Sequence, residues 1–195
     1  PEMIILKGRT DNAGMSAGWY VYHKDLSSSS YLLLDSSNGE APAMADVITN
    51  ILPATVDVGT DDSSLYFNYG GDDFGTSADT YIGYFFASVA GYSKVGSFSG
   101  SSTAFIYTGF RPAFILAKRY DMTGGNWLMF DDKREGYNVD NDDLEANNNA
   151  VEATTDHIDI LSNGFKIRTS DADLNAGTVI YLAVAKNPFK YASAR

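Results

Sequence analysis

Two stretches of this chain carry the same blocks of strand-like residues in the same order. Pro1-Glu2-Met3-Ile4-Ile5-Leu6-Lys7 matches Pro112-Ala113-Phe114-Ile115-Leu116-Ala117-Lys118. Gly18-Trp19-Tyr20-Val21-Tyr22 matches Asn126-Trp127-Leu128-Met129-Phe130, and Thr80 through Ala87 matches Thr178 through Ala185. The spacing differs only in the loops, so the chain reads as an internal duplication with a period of roughly 100 residues. That period is too long for a solenoid. Two copies packed about a pseudo-twofold axis are expected within one domain spanning 1–195, half one about 1–93 and half two about 94–195.

Strand signals dominate between these anchors. Tyr31–Leu34, Leu65–Tyr69, Ala104–Tyr107, His157–Leu161 and Phe165–Arg168 are further aromatic or β-branched runs, separated by Gly, Asn and Ser clusters of the kind that turn hairpins. In Leu161-Ser162-Asn163-Gly164-Phe165, Asn163-Gly164 is expected to supply the two positive-φ positions of a tight turn. Tyr81–Ala87 and Val179–Ala185 are apolar on both faces and are expected to lie centrally. The best helical stretch is Ala41–Leu52, bracketed by Pro42 and Pro53 and good for a turn or two. The expected fold is an all-β sandwich of two antiparallel sheets, jelly-roll or lectin-like. The enrichment in aromatics, 13 Tyr and 11 Phe, agrees with strands.

Charge and composition exclude several functions. A net charge of -11 lacks the positive footprint that nucleic-acid binding needs, and argues equally against a basic membrane-surface role. Without cysteine there is no thiolate zinc site, thiol nucleophile or redox motif. No run of 18 apolar residues occurs, so no membrane-spanning helix is expected. The chain enters a strand at once with no charged, apolar leader, which reads as part of a longer protein. Half two has a strand-rich lead-in, residues 94–111, and half one has none. Residues upstream of Pro1 are expected to supply it, leaving an unpaired sheet edge beside Met3–Lys7.

No catalytic arrangement stands out. Gly96-Ser97-Phe98-Ser99-Gly100 places Phe where a hydrolase elbow needs Ser, and Gly70-Gly71-Asp72-Asp73 is acidic where a phosphate loop cannot be. His23 and His157 lie in different halves and read as structural. Asp131, Asp132, Glu135, Glu145, Glu152 and Asp156 read as solvated loop acids, although a glycosidase pair would use the same residue types. Calcium is the one ion these acids suit, with Asp140, Asp142 and Asp143 as ligands; no organic cofactor is implied. Aromatic faces beside amides and carboxylates form a sugar-binding palette, in which rings stack on sugar faces and polar groups bond hydroxyls. Tyr66, Tyr69, Asp72, Asp73, Phe74, Tyr120, Tyr137 and Asn138 have that mixture. Trp19 and Trp127, at matching positions, read as shared core.

Several segments together resemble a known family: the Pro1–Lys7 and Trp19–Lys24 blocks, Gly91–Gly100 continuing into Tyr107–Phe114, Leu161–Arg168, and Asn187-Pro188-Phe189-Lys190-Tyr191. Over essentially the whole chain this set is similar to a C-terminal domain of undefined activity in tail fibre and other virion structural proteins of marine tailed phages, including cyanophages. The resemblance supplies no catalytic residues. It implies a place on the virion, host cell-surface glycan or other virion proteins as partners, and trimeric or other symmetric assembly. Recognition of the host surface is the expected function, with capsid decoration or fibre assembly as the alternative and a polysaccharide-degrading enzyme third.

Overall fold

The computed structural model describes residues 1–9, 18–27, 30–41, 48–49, 66–69, 72–73, 81–134 and 142–188. Two sheets of parallel design form its centre. In the first, β1 (Met3–Gly8) is flanked by β2 (Trp19–His23) and β7 (Tyr81–Phe86), with β3 (Leu32–Leu33) beyond β2. In the second, β10 (Pro112–Arg119) is flanked by β11 (Trp127–Asp131) and β15 (Thr178–Ala185), with β12 (Asp143–Glu145) beyond β11. All pairs are antiparallel, and β8 (Ser93–Ser99) extends the second sheet along β15.

The registers repeat residue by residue. Lys7 stands opposite Trp19 and Ile82, and Lys118 stands opposite Trp127 and Ile180. Leu34 N donates to Trp19 O at 2.8 Å and Ala146 N to Trp127 O at 2.9 Å, while Asp35 and Asn147 side chains accept from the two tryptophan amides. The duplication read from the sequence is therefore carried by backbone pairing and by its side-chain caps.

Alternation along the second sheet buries both of its faces. Ile115, Ala117, Leu128, Phe130, Val179, Tyr181 and Ala183 point to one core, where a third sheet covers them. That sheet is β13 (Ile158–Leu161), β14 (Gly164–Ile167) and β9 (Phe105–Tyr107), joined by Leu174 of the short helix α1 (Ala172–Asn175). Leu116, Trp127, Ile180 and Leu182 point the other way and meet Met3, Ile5, Val21 and Leu32 of the first sheet. These are corresponding faces of the two halves, as a pseudo-twofold arrangement requires. The all-β sandwich thus has three layers, with period-2 side chains meeting at each interface. Trp127 Nε1 donates to Leu33 O at 2.9 Å across the interface between the halves. Lys118, fully buried, donates from Nζ to Ser37 O at 3.2 Å and to Gly125 O at 2.5 Å.

Four sequence expectations need correction. Val179–Ala185 is central, but Tyr81–Phe86 is the outer strand of the first sheet, with Ile82, Tyr84 and Phe85 exposed. Its apolar faces are the same as those of β15; what differs is the neighbour, because β15 has β8 on its outer side. The unpaired edge expected beside Met3–Lys7 is not there, since β1 is paired on both sides; among the described residues the outermost strand on that side is β7. Within the helical stretch Ala41–Leu52, Ile48–Thr49 form β4, which pairs with β5 (Tyr66–Tyr69); most of the remaining stretch lies outside the described residues.

The fourth concerns the hairpin. Leu161 pairs with Gly164, so Ser162-Asn163 is the two-residue turn and Gly164 begins β14, without positive φ. Glycine is required there for another reason: a Cβ would collide with the Ile106 carbonyl of β9. Gly164→Ala is expected to force β9 off β14 and to lower stability by about 1–3 kcal/mol, the usual range for overpacking. Urea denaturation checks it; an unchanged midpoint would show that β9 shifts freely.

Candidate functional site

The interface between the first and second sheets is not filled along its whole length. Toward β7 it opens into a cleft of about 420 Å³. Ile5, Trp19, Leu34, Tyr84 and Phe86 line one wall; Phe114, Leu116, Met129, Ala146, Leu182 and Val184 line the other. Several of these are corresponding residues of the two halves, so the cleft lies close to the pseudo-axis. Trp19 and Tyr84 stack at its mouth with centroids 6.5 Å apart, and Lys7 Nζ sits 5.9 Å from the Trp19 ring. Among the described residues no carboxylate, imidazole or amine lines it. Its size suits a ligand or an inserted chain segment, and its walls offer shape and dispersion without acid-base groups.

The sequence-predicted binding residues divide. The pairing of β5 with β6 (Asp72–Asp73) sets Tyr69 opposite Asp72 and Asn68 opposite Asp73. Tyr66 lies at the start of β5. Tyr120 is half-buried and packs against the core between the halves, where its backbone binds Glu40 and Thr178, so it is no free stacking platform. Phe74, Tyr137, Asn138 and Asp140 lie outside the described residues.

The calcium reading is corrected at Asp143. This residue is in β12, not on a loop, and is 1% exposed. Its Oδ1 lies 2.8 Å from His157 Nδ1. Asp142 is half-buried beside it. Among the described residues no three acids or imidazoles gather as a metal-ligand group. The loop acids that suggested a glycosidase are engaged as well: Asp131 and Glu152 with Arg134, Asp132 with Lys186 at 2.5 Å, and Glu145 with Asn126 at 2.8 Å. Glu135 lies outside the described residues.

The two histidines behave oppositely. Burial disfavours a charged ring at His157, but Asp143, helped by Asp171 and Asp173, outweighs it and holds the pKa above the ordinary value. Burial of His23 drives its pKa down to about 4, and Asp25 only partly offsets this. The neutral ring accepts from the Asp25 amide through Nδ1 at 3.2 Å. Sequence reasoning took both as structural and missed the Asp143 partner. Only the pairing of β12 with Ala153, which turns the chain back toward His157, brings the two together.

No curated protein and no solved structure matches the chain. The family described as "Domain of unknown function (DUF7483)" matches residues 1–188, and the chain belongs to that family.

Proposed function

We propose that this domain is a contact module of a tailed-phage virion protein that recognises glycan on the host surface. The observation that carries this reading is the β5–β6 backbone register, which sets Tyr69 opposite Asp72 and Asn68 opposite Asp73. An aromatic residue and hydroxyl-bonding residue types at facing register positions are what a shallow sugar site calls for. The resemblance of its segments to a domain of tailed-phage virion proteins supports the location. Each contact would be weak and would act through several copies on one particle.

A glycan array tests it. Reproducible hits that Tyr69→Ala and Asp72→Asn each weaken about tenfold or more are expected, the size of one lost stacking or hydrogen-bonding partner. Silence on the array, with tight binding to other virion proteins, would establish the second reading, a fibre-assembly or decoration module. The apolar edge of β7, which no strand pairs among the described residues, favours that second reading, because exposed strand edges are sites of chain-to-chain pairing.

A further inference from the structure

We propose that the β7 edge and the mouth of the neighbouring cleft receive a strand from the polypeptide immediately preceding Pro1, placed as β8 is placed on β15. The repeat specifies the site. β1, β2, β3 and β7 correspond to β10, β11, β12 and β15 in order, direction and register, and among the described residues only the second set carries a further strand. In half two that strand belongs to the lead-in that runs through β9 into Pro112, the residue matched by Pro1. The same connection in half one would come from the amino side of Pro1.

Backbone direction agrees. Ala185 N donates to Tyr92 O at 2.8 Å and Gly100 N donates to Gly177 O at 2.9 Å, so Val179, Tyr181 and Ala183 turn their amides toward β8. Their counterparts on β7 are Tyr81, Gly83 and Phe85. Phe86 O instead accepts from Glu2 N at 2.7 Å, so Phe86 faces β1 and Phe85 faces the open edge. Among the described residues no strand pairs with that edge.

Side chains agree as well. Val95 of β8 stands opposite Leu182, is fully buried, and helps fill the core between the halves. The counterpart of Leu182 is Tyr84, 45% exposed at the cleft mouth. A strand seated on β7 would place an apolar residue beside Tyr84, where Val95 has no counterpart among the described residues. One occupant thus accounts for an unpaired edge, three exposed apolar side chains and an unfilled cleft. Strand addition of this kind takes affinity from main-chain bonds and specificity from alternate side-chain pockets.

Amide hydrogen exchange tests it on two proteins: the chain from Pro1, and the same chain extended upstream in its parent polypeptide by a segment as long as the 94–111 lead-in. The extension is expected to slow exchange at Tyr81, Gly83 and Phe85 by about tenfold or more, in a monomer. Phe85→Pro, which removes an edge-facing N–H and leaves the β1 ladder, should abolish that protection at Tyr81 and Gly83. Should this variant not fold, the unmutated pair still decides. Unchanged exchange in the extended chain would overturn the proposal. So would protection that appears without the extension and grows with protein concentration, which would make a second copy the occupant.

Discussion

Trp127→Ala is expected to lower the unfolding free energy by about 3–5 kcal/mol, the range for removing a large buried aromatic. The ring is 1% exposed and lies in the core between the halves, so its loss opens a cavity on the interface itself. It also orphans the Leu33 carbonyl that the indole N–H bonds across that interface. Trp19, its repeat counterpart, is half-buried at the cleft mouth against Tyr84 and Lys7. Trp19→Ala should therefore cost clearly less, about 1–2 kcal/mol. Urea denaturation of both variants measures the difference. Equal losses would mean that the two halves bury their tryptophans alike in solution.

Asp143→Ala should cost about 3 kcal/mol near neutral pH, because it strands His157 in a buried place without its counter-charge. The loss should depend on pH. His157 has a folded pKa raised above the ordinary 6.5, so the stability it contributes is full below that value and disappears as pH rises through the raised one. The gap between wild type and variant is therefore widest on the acid side and narrows in alkali. His23 runs the other way: its folded pKa is about 4, so its contribution is present above 6.5 and is lost as pH falls through about 4. Melting curves at about pH 6 and about pH 9 separate the two effects. A gap of equal size at both would show that Asp143 acts through packing and not through charge.

The duplicated frame was legible in the sequence because it is written in local patterns. Continuous apolar runs such as Ile115-Leu116-Ala117 and Val179–Ala185, repeated with matching Lys and Trp neighbours, are enough to place a strand buried on both faces. What was not legible depends on neighbours distant in sequence. Tyr81–Phe86 has the apolar pattern of a central strand, and nothing within it tells that among the described residues its outer side has no counterpart of β8. Gly164 looks like a turn residue beside Asn163; the real constraint is a carbonyl from β9, far back along the chain. Asp143 follows three other polar residues and looks like a loop acid until its strand is paired and His157 is set against it. Of the sugar-binding set, the hairpin register brings Tyr69 and Asp72 opposite one another, whereas Tyr120 belongs to the core.

The position of β8 also shapes how the molecule must be made. It follows β7 almost directly in the chain, yet its partner is β15, the last strand of the described residues. Closing that pair requires most of half two to be synthesised and gathered first, which is slow for a chain dominated by such distant pairings. Until Thr178–Ala185 leaves the ribosome, β8 has no ladder and one side of β10 stays bare. A truncation before Thr178 would leave both exposed at once, making the nascent second sheet the stage most vulnerable to aggregation.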